Sequence, residues 1–343
     1  VSKSICQAEK ENAMSLRRTL ALSFFLFAAL IAQAAAPEPA KSRHFVFEYN
    51  FTVRNTEPGK PMQVWFPLAE SDQFQQIKIL SKIGDLPLQE TREPEYGNHM
   101  LYAHTDKADK AEYHFSVKYD VVRYEHLAAV SAHDHPSTGE LDRFLAPDKL
   151  VPITGRPAQI AAQQVRPGMS DMEKAHAFYD YTFANMRYDK TGTGWGHGDT
   201  LWACDSKRGN CTDFHSLFIS MARAQHIPSR FEIGFSLPDD KNASEIAGYH
   251  CWAEFYTRQR GWVPVDISEA WKHQERKDYF FGAHDVNRMQ FSVGRDLELS
   301  PAQKGERLTY FVFPYVEVDG RDYPNIANAF SFYEVSEQKR ASR

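Results

Sequence analysis

The chain has 343 residues, 42% of them hydrophobic and 13% aromatic, with a formal net charge of -5. That is enough apolar material for a sizeable core and more than one compact unit. The mildly acidic balance gives no electrostatic basis for nucleic-acid or anionic-membrane binding.

Arg17 and Arg18 precede an apolar run from Leu20 to Ile31 that ends in small residues. Charge, then a short apolar run, then Ala-Gln-Ala is the order of a signal peptide, which predicts one over 14–36 with cleavage after Ala34. The run is shorter than the ~20 residues a spanning helix needs. The expected destination is the periplasm or the exterior, with no stable membrane insertion after cleavage. Residues 1–13, ahead of Met14, stand outside the fold.

From His44 to Arg54, Phe45, Phe47, Tyr49, Phe51 and Val53 alternate with mostly polar residues, a period of two that predicts a strand with one buried face. The pattern recurs at Tyr113, Phe115, Val117, Tyr119 and Val121, with a shorter apolar stretch from Met62 to Leu68. Gly59-Lys-Pro61, Gly84-Asp85 and Pro94-Glu-Tyr-Gly97 supply turns between them. An N-terminal antiparallel β-domain, sandwich-like, is expected over 41–125.

Loop-like residues fill 131–155, including His133-Asp-His-Pro136, and then the period changes. Ser170 and Glu173 form a capping box ahead of Met172, Ala175, Phe178, Tyr179 and Thr182, so a helix starts there. Trp195-Gly-His-Gly198 reads as a Gly-rich loop. A second helix is expected from Cys211 to His226, ended by Ile227-Pro228. Strands are expected over 230–236, 249–257, 262–267 and 308–318. The second compact unit spans 150–335.

Cys6 lies ahead of the signal segment, which leaves Cys204, Cys211 and Cys251 to enter an oxidising compartment. Three is an odd number. A bridge between Cys204 and Cys251 would leave Cys211 as the free thiol, and a buried inert thiol is the alternative for any of them.

Cys211 follows Gly209-Asn210 and starts the second helix, where the helix dipole favours the thiolate. Its backbone N–H, unpaired in the first turn, is a candidate oxyanion donor. His250 lies in Gly248-Tyr-His-Cys-Trp-Ala-Glu254, and Asp266 ends Gly261-Trp-Val-Pro-Val-Asp266. A thiol, an imidazole and a carboxylate from adjoining elements are the parts of a nucleophilic triad. Asp213 is expected to satisfy first-turn amides or an arginine, His215 to be structural with a reserve base as the lesser alternative, and Glu254 to share the His250 face as a structural partner.

Taken together, Gly-Asn-Cys-Thr-Asp213, Gly-Tyr-His-Cys-Trp-Ala-Glu254, Trp-Val-Pro-Val-Asp266 and Ile227-Pro-Ser-Arg-Phe-Glu-Ile-Gly234 strongly resemble the transglutaminase-like superfamily core. The likeness covers roughly 171–268, and more weakly 279–296. It implies an α+β fold, a papain-like transglutaminase core preceded by the antiparallel β-sandwich-like domain. It also implies a Cys211–His250–Asp266 triad acting on amide bonds of a peptide or protein substrate through a Cys thioester, resolved by water or an amine. An upstream aromatic often steadies the oxyanion in that family, and Trp195 and Trp202 are the candidates. No cofactor is implied, and no acidic cluster of the kind in the calcium-dependent animal enzymes points to metal activation.

Two other classes compete. Cys204, Cys211, His215, His250 and Cys251 would have to be gathered by the fold to hold zinc, since short chelating pairs are all but missing. A non-catalytic protein that binds a peptide or an envelope polymer on the same fold is the other.

Overall fold

The computed structural model describes residues 41–128 and 136–335. The expected signal segment, Cys6 and His133 fall outside these residues. The strand Ser42–Arg54 forms because its alternation is so regular: Phe45, Phe47, Tyr49, Phe51 and Val53 are all buried. It pairs antiparallel with Glu112–Tyr124 on one side and with Ile326–Glu334 on the other. Gln75–Gly84 and Ala243–Ile246 complete this five-stranded sheet at its edges. A second five-stranded sheet runs Arg321–Asp322, Tyr315–Val318, Met62–Pro67, His99–Thr105, Gln89–Arg92. The two pack face to face, with the Phe66 ring 6.3 Å from Tyr49 and 4.9 Å from Phe51. The β-region anticipated over 41–125 thus shares both its sheets with strands from beyond residue 240.

Two expected segments differ from what is found. The anticipated 308–318 strand is reduced to Tyr315–Val318. Ahead of Pro314, side chains take the backbone carbonyls that a ladder would use: Ser292 Oγ donates to Phe311 O, and Tyr49 Oη donates to Val312 O at 3.0 Å. The anticipated loop over 131–155 contains a helix, Thr138–Arg143, closed by a Ser137/Glu140 capping box. It buries none of its residues and so carries no apolar period.

The helical part centres on Cys211–Ala224, thirteen of whose fourteen residues are buried. A helix covered on all sides needs apolar neighbours all round, and Arg156–Gln164, Asp171–Asn185 and Thr200–Ser206 supply them. Its other side lies on a four-stranded antiparallel sheet in the order Gly261–Val265, His250–Thr257, Ser229–Ser236, Arg288–Val293. Every residue of His250–Thr257 is buried. Phe235 and Phe291 of this sheet pack against Phe47 of the sandwich as tilted rings, at 5.2 and 5.9 Å, so sandwich and helical part share one core. Among the described residues no helix is long and apolar enough to cross a membrane.

Candidate active site

A backbone that approaches its own helix places Cys211. Gly209 has φ +150°, and a Cβ there would collide with the Asp213 carboxylate, so glycine is required on two counts. Asn210 then caps the helix, its Oδ1 accepting the Thr212 N–H at 2.9 Å. Cys211 takes the first helical position, where its N–H has no intrahelical acceptor. Asp213 accepts from the N–H groups of Asn210 (2.9 Å), Gly196 (2.8 Å) and Gly198 (3.1 Å). Burial pushes its carboxyl up to about 6, against those three donors. It pins the Gly-rich loop to the start of the helix.

His250 opens its strand, and Asp266 follows the neighbouring one, where Ala253 pairs with Val265. The register brings Asp266 Oδ2 to 2.7 Å from His250 Nε2. The Cys211 sulfur and the same ring shift one another's protonation, and with Nε2 on Asp266, Nδ1 is the ring atom left to face it. Asp266 is itself held firmly: Arg288 Nη1 lies 3.1 Å from Oδ2, and Ser268 Oγ and Glu269 N donate to Oδ1 at 3.1 and 3.0 Å.

The electrostatics follow from this line. Burial alone would push the Cys211 thiol up, but hydrogen bonds from Cys251 and His250 and the imidazolium charge outweigh it and hold it well below its ordinary value. Burial would lower His250, yet Asp266 and the Cys211 sulfur raise it to about 10. Asp266, although buried, is held well below the usual carboxylate range by His250 and Arg288. The favoured state is thiolate and imidazolium.

His215 Nε2 accepts the Ile267 N–H at 3.1 Å and so carries no proton. Burial keeps the ring neutral; it braces the turn after Asp266 rather than standing in reserve as a base. Cys204, Cys211 and Cys251 are all free and buried, so Cys204 and Cys251 form no bridge. Instead the Cys251 sulfur lies 3.8 Å from His215 Nδ1, and burial and the Cys211 sulfur push its thiol well up.

Trp195 donates to the Gly192 carbonyl at 3.1 Å and lies under Lys190. Trp202 lies under Arg208 and packs against Gly194. Both shape the loop that Asp213 pins. Glu254 is far along the strand from the sulfur, paired with Arg230 (2.6 Å) and His126 (3.1 Å). Neither Arg288 nor Tyr249 was singled out from the sequence, although Tyr249 adjoins His250 and Arg288 sits in the weaker 279–296 likeness. Tyr249 Oη contacts Asn210 Nδ2 at 2.9 Å and Thr212 Oγ1 at 3.0 Å, tying the start of the His250 strand to the start of the helix. Cys211 is 1% exposed and His250 4%.

Residues 158–267 match the transglutaminase-like superfamily core. An uncharacterized protein of Haemophilus influenzae is 25% identical over 320 residues, which cover 80% of this chain and 85% of that one. Among solved structures, a candidate cysteine protease from Cytophaga hutchinsonii superposes with a TM-score of 0.54 at 15% identity, over 86% of this chain and 98% of its own, a likeness of fold. The periplasmic domain of TgpA from Pseudomonas aeruginosa gives 0.37 at 14% identity, over 70% of this chain and 92% of its own.

Proposed function

We propose, on the premise that this chain carries a transglutaminase-like superfamily core, that it is a thiol enzyme acting on amide bonds of peptides or proteins. Cys211, as thiolate, attacks the amide carbon, and the oxygen's developing charge turns toward the Cys211 N–H. His250, as imidazolium, hands its proton to the leaving nitrogen as the C–N bond breaks, giving a thioester. Water or an amine then attacks that thioester while His250 takes back a proton. Asp266 keeps the ring oriented and its cation favoured throughout.

The observation that carries this proposal is the continuous line from sulfur through imidazole to a carboxylate fixed by Arg288 and a backbone N–H. Trp195, Trp202 and Asp213 act through the shape of the Gly-rich loop. Glu254 acts by holding the His250 strand. Export to the periplasm or beyond, and a substrate in the cell envelope, belong to the same proposal.

One observation favours a second reading, a non-catalytic binding protein: Cys211 is 1% exposed. A single experiment separates the two. Purified protein is given peptide and Gln-containing substrates while ammonia release, amine incorporation and backbone cleavage are followed together, beside Cys211→Ser. Turnover in the parent that is lost in the variant supports the enzyme; binding without turnover in both supports the second reading.

A further inference from the structure

We propose that His126, Glu254 and His284 form a divalent-metal site, best matched to zinc, distinct from the Cys211 centre. Their ligand atoms all lie within 4.8 Å of one another, and all three side chains are buried. Two imidazoles and a carboxylate are a donor set that zinc takes, with a fourth position left for water.

The three come from segments that only the fold unites. His126 and His284 are direct partners in the short antiparallel ladder of His126–Leu127 with Ala283–His284, which sets their side chains on the same side. Glu254 reaches them from the strand that begins with His250. Phe74 stacks on His126 at 3.5 Å, and Trp252 meets His284 edge-on at 5.7 Å, closing the pocket with apolar walls.

At His284 the tautomer already suits a metal, whereas an ion would displace the proton that His126 Nδ1 gives to Glu254 Oε1. His284 Nε2 is 3.3 Å from the Val265 carbonyl, so it carries the proton, and a ring that donates its outer N–H to a backbone carbonyl is the usual support of a ligating histidine. Nδ1 is then left with a bare lone pair. It is fully buried and has no hydrogen-bond partner, a cost that ordinary interiors avoid. Glu254 Oε2 is occupied by Arg230, while Oε1 faces His126 Nδ1 at 3.1 Å. That edge is close to the span of two bonds of about 2.0–2.1 Å at a tetrahedral angle. His284 would close by about an ångström to complete the set.

Charge does not forbid it. Arg123, Arg230 and Arg288 stand around the cluster, but so do Glu232, Asp266 and Asp285 besides Glu254. Burial pushes Glu232 up to about 7, so the charges of the two signs nearly balance. An ion here would join the His126 ladder to the His250 strand. Through His284 it would also hold Val265, the residue before Asp266. The thiols and histidines near Cys211 do not make a comparable group among the described residues.

The test uses the full chain, stripped with a chelator and titrated with Co2+ and with Zn2+. One Co2+ per chain is expected, with visible d–d bands and no sulfur-to-metal charge transfer. The bands persist in Cys211→Ser and weaken at least tenfold in affinity in His284→Ala. Bands lost in Cys211→Ser but kept in His284→Ala overturn the proposal. Should His284→Ala fail to fold, the parent protein decides. Zn2+ then raises its Tm reversibly and co-purifies at one per chain by elemental analysis. Neither bound metal nor a shift in Tm overturns the site. None of these readouts depends on turnover, so they stand or fall apart from the thiol enzyme.

Discussion

Asp266 meets His250 Nε2 at 2.7 Å with one carboxylate oxygen and caps the helix Ile267–Lys272 with the other, through the Glu269 N–H. The residue that orients the imidazole is therefore fixed by the secondary structure it starts. Asp266→Asn keeps an oxygen for the cap but offers the ring an amide and removes the buried partner of Arg288 Nη1. A fall in kcat/KM of roughly 10³–10⁴-fold is expected. Stability should drop by about 3 kcal/mol, tempered by the Arg288–Asp285 contact that remains. Steady-state kinetics and urea unfolding on the same preparations check both.

Cys211→Ser should retain the native circular-dichroism spectrum and lose activity by about 10⁴-fold or more, because serine at this position has no comparable anion to offer. In the parent, a small alkylating agent should label Cys211 ahead of Cys251, whose thiol is pushed well above its ordinary value by burial and by the Cys211 sulfur. Peptide mapping by mass spectrometry reads the site. Equal labelling of the two would contradict the charge assignment.

The pH dependence has a definite sign. Cys211 is lowered from 9.0 and His250 is raised from 6.5 to about 10. Activity should rise with pH as the thiol ionises, hold through neutrality, and fall as His250 loses its proton near pH 10. His250 favours folding fully below 6.5, and that contribution is lost as pH rises through about 10. Cys211 favours it fully above 9.0, and that is lost as pH falls toward the lowered value. The two slopes cancel between 6.5 and 9.0, because folded and unfolded pairs each hold one proton there. The pair's share of stability should be flat across that window and decline on both sides. Urea midpoints of the parent against Cys211→Ser, measured from pH 5 to 10.5, test it.

Gly209→Ala should cost about 2 kcal/mol or more, from a positive φ and from a methyl driven into the Asp213 carboxylate. The same substitution displaces the start of the helix, so activity should fall further than the loss of folded protein accounts for. Comparing Tm with kcat on the folded fraction separates the two effects.

Much of this was legible in the sequence because local rules and tertiary demands agreed. Ser42–Arg54 alternates without a break, the Ser170–Glu173 box starts its helix, and Asn210-Cys211 marks the capped start of the next one. The strand Gln75–Gly84 was missed because its register shifts between Ile79 and Ser81, so Ile83 faces outward although it is in phase with Ile77 and Ile79, and Leu80 is turned outward too. His226 also carried no signal of its role. At φ +61° it turns the chain after Ala224, two residues before the expected end. Within the site, Arg288 belongs to a strand two positions across the sheet from His250, and only pairing brings it to Asp266. Cys251 and His215 were visible as residue types, but their partners are set by packing.

The pairing of Ser42–Arg54 with Ile326–Glu334 has a consequence for biogenesis. Arg43 and Glu334, joined at 2.6 Å, are 291 positions apart, so the first sheet lacks a central neighbour until residues 326–334 have been made. Loop-closure entropy delays such distant contacts. The opening strand therefore depends on one of the last strands made, and a chain cut before Ile326 should lose the pairing that closes its first sheet.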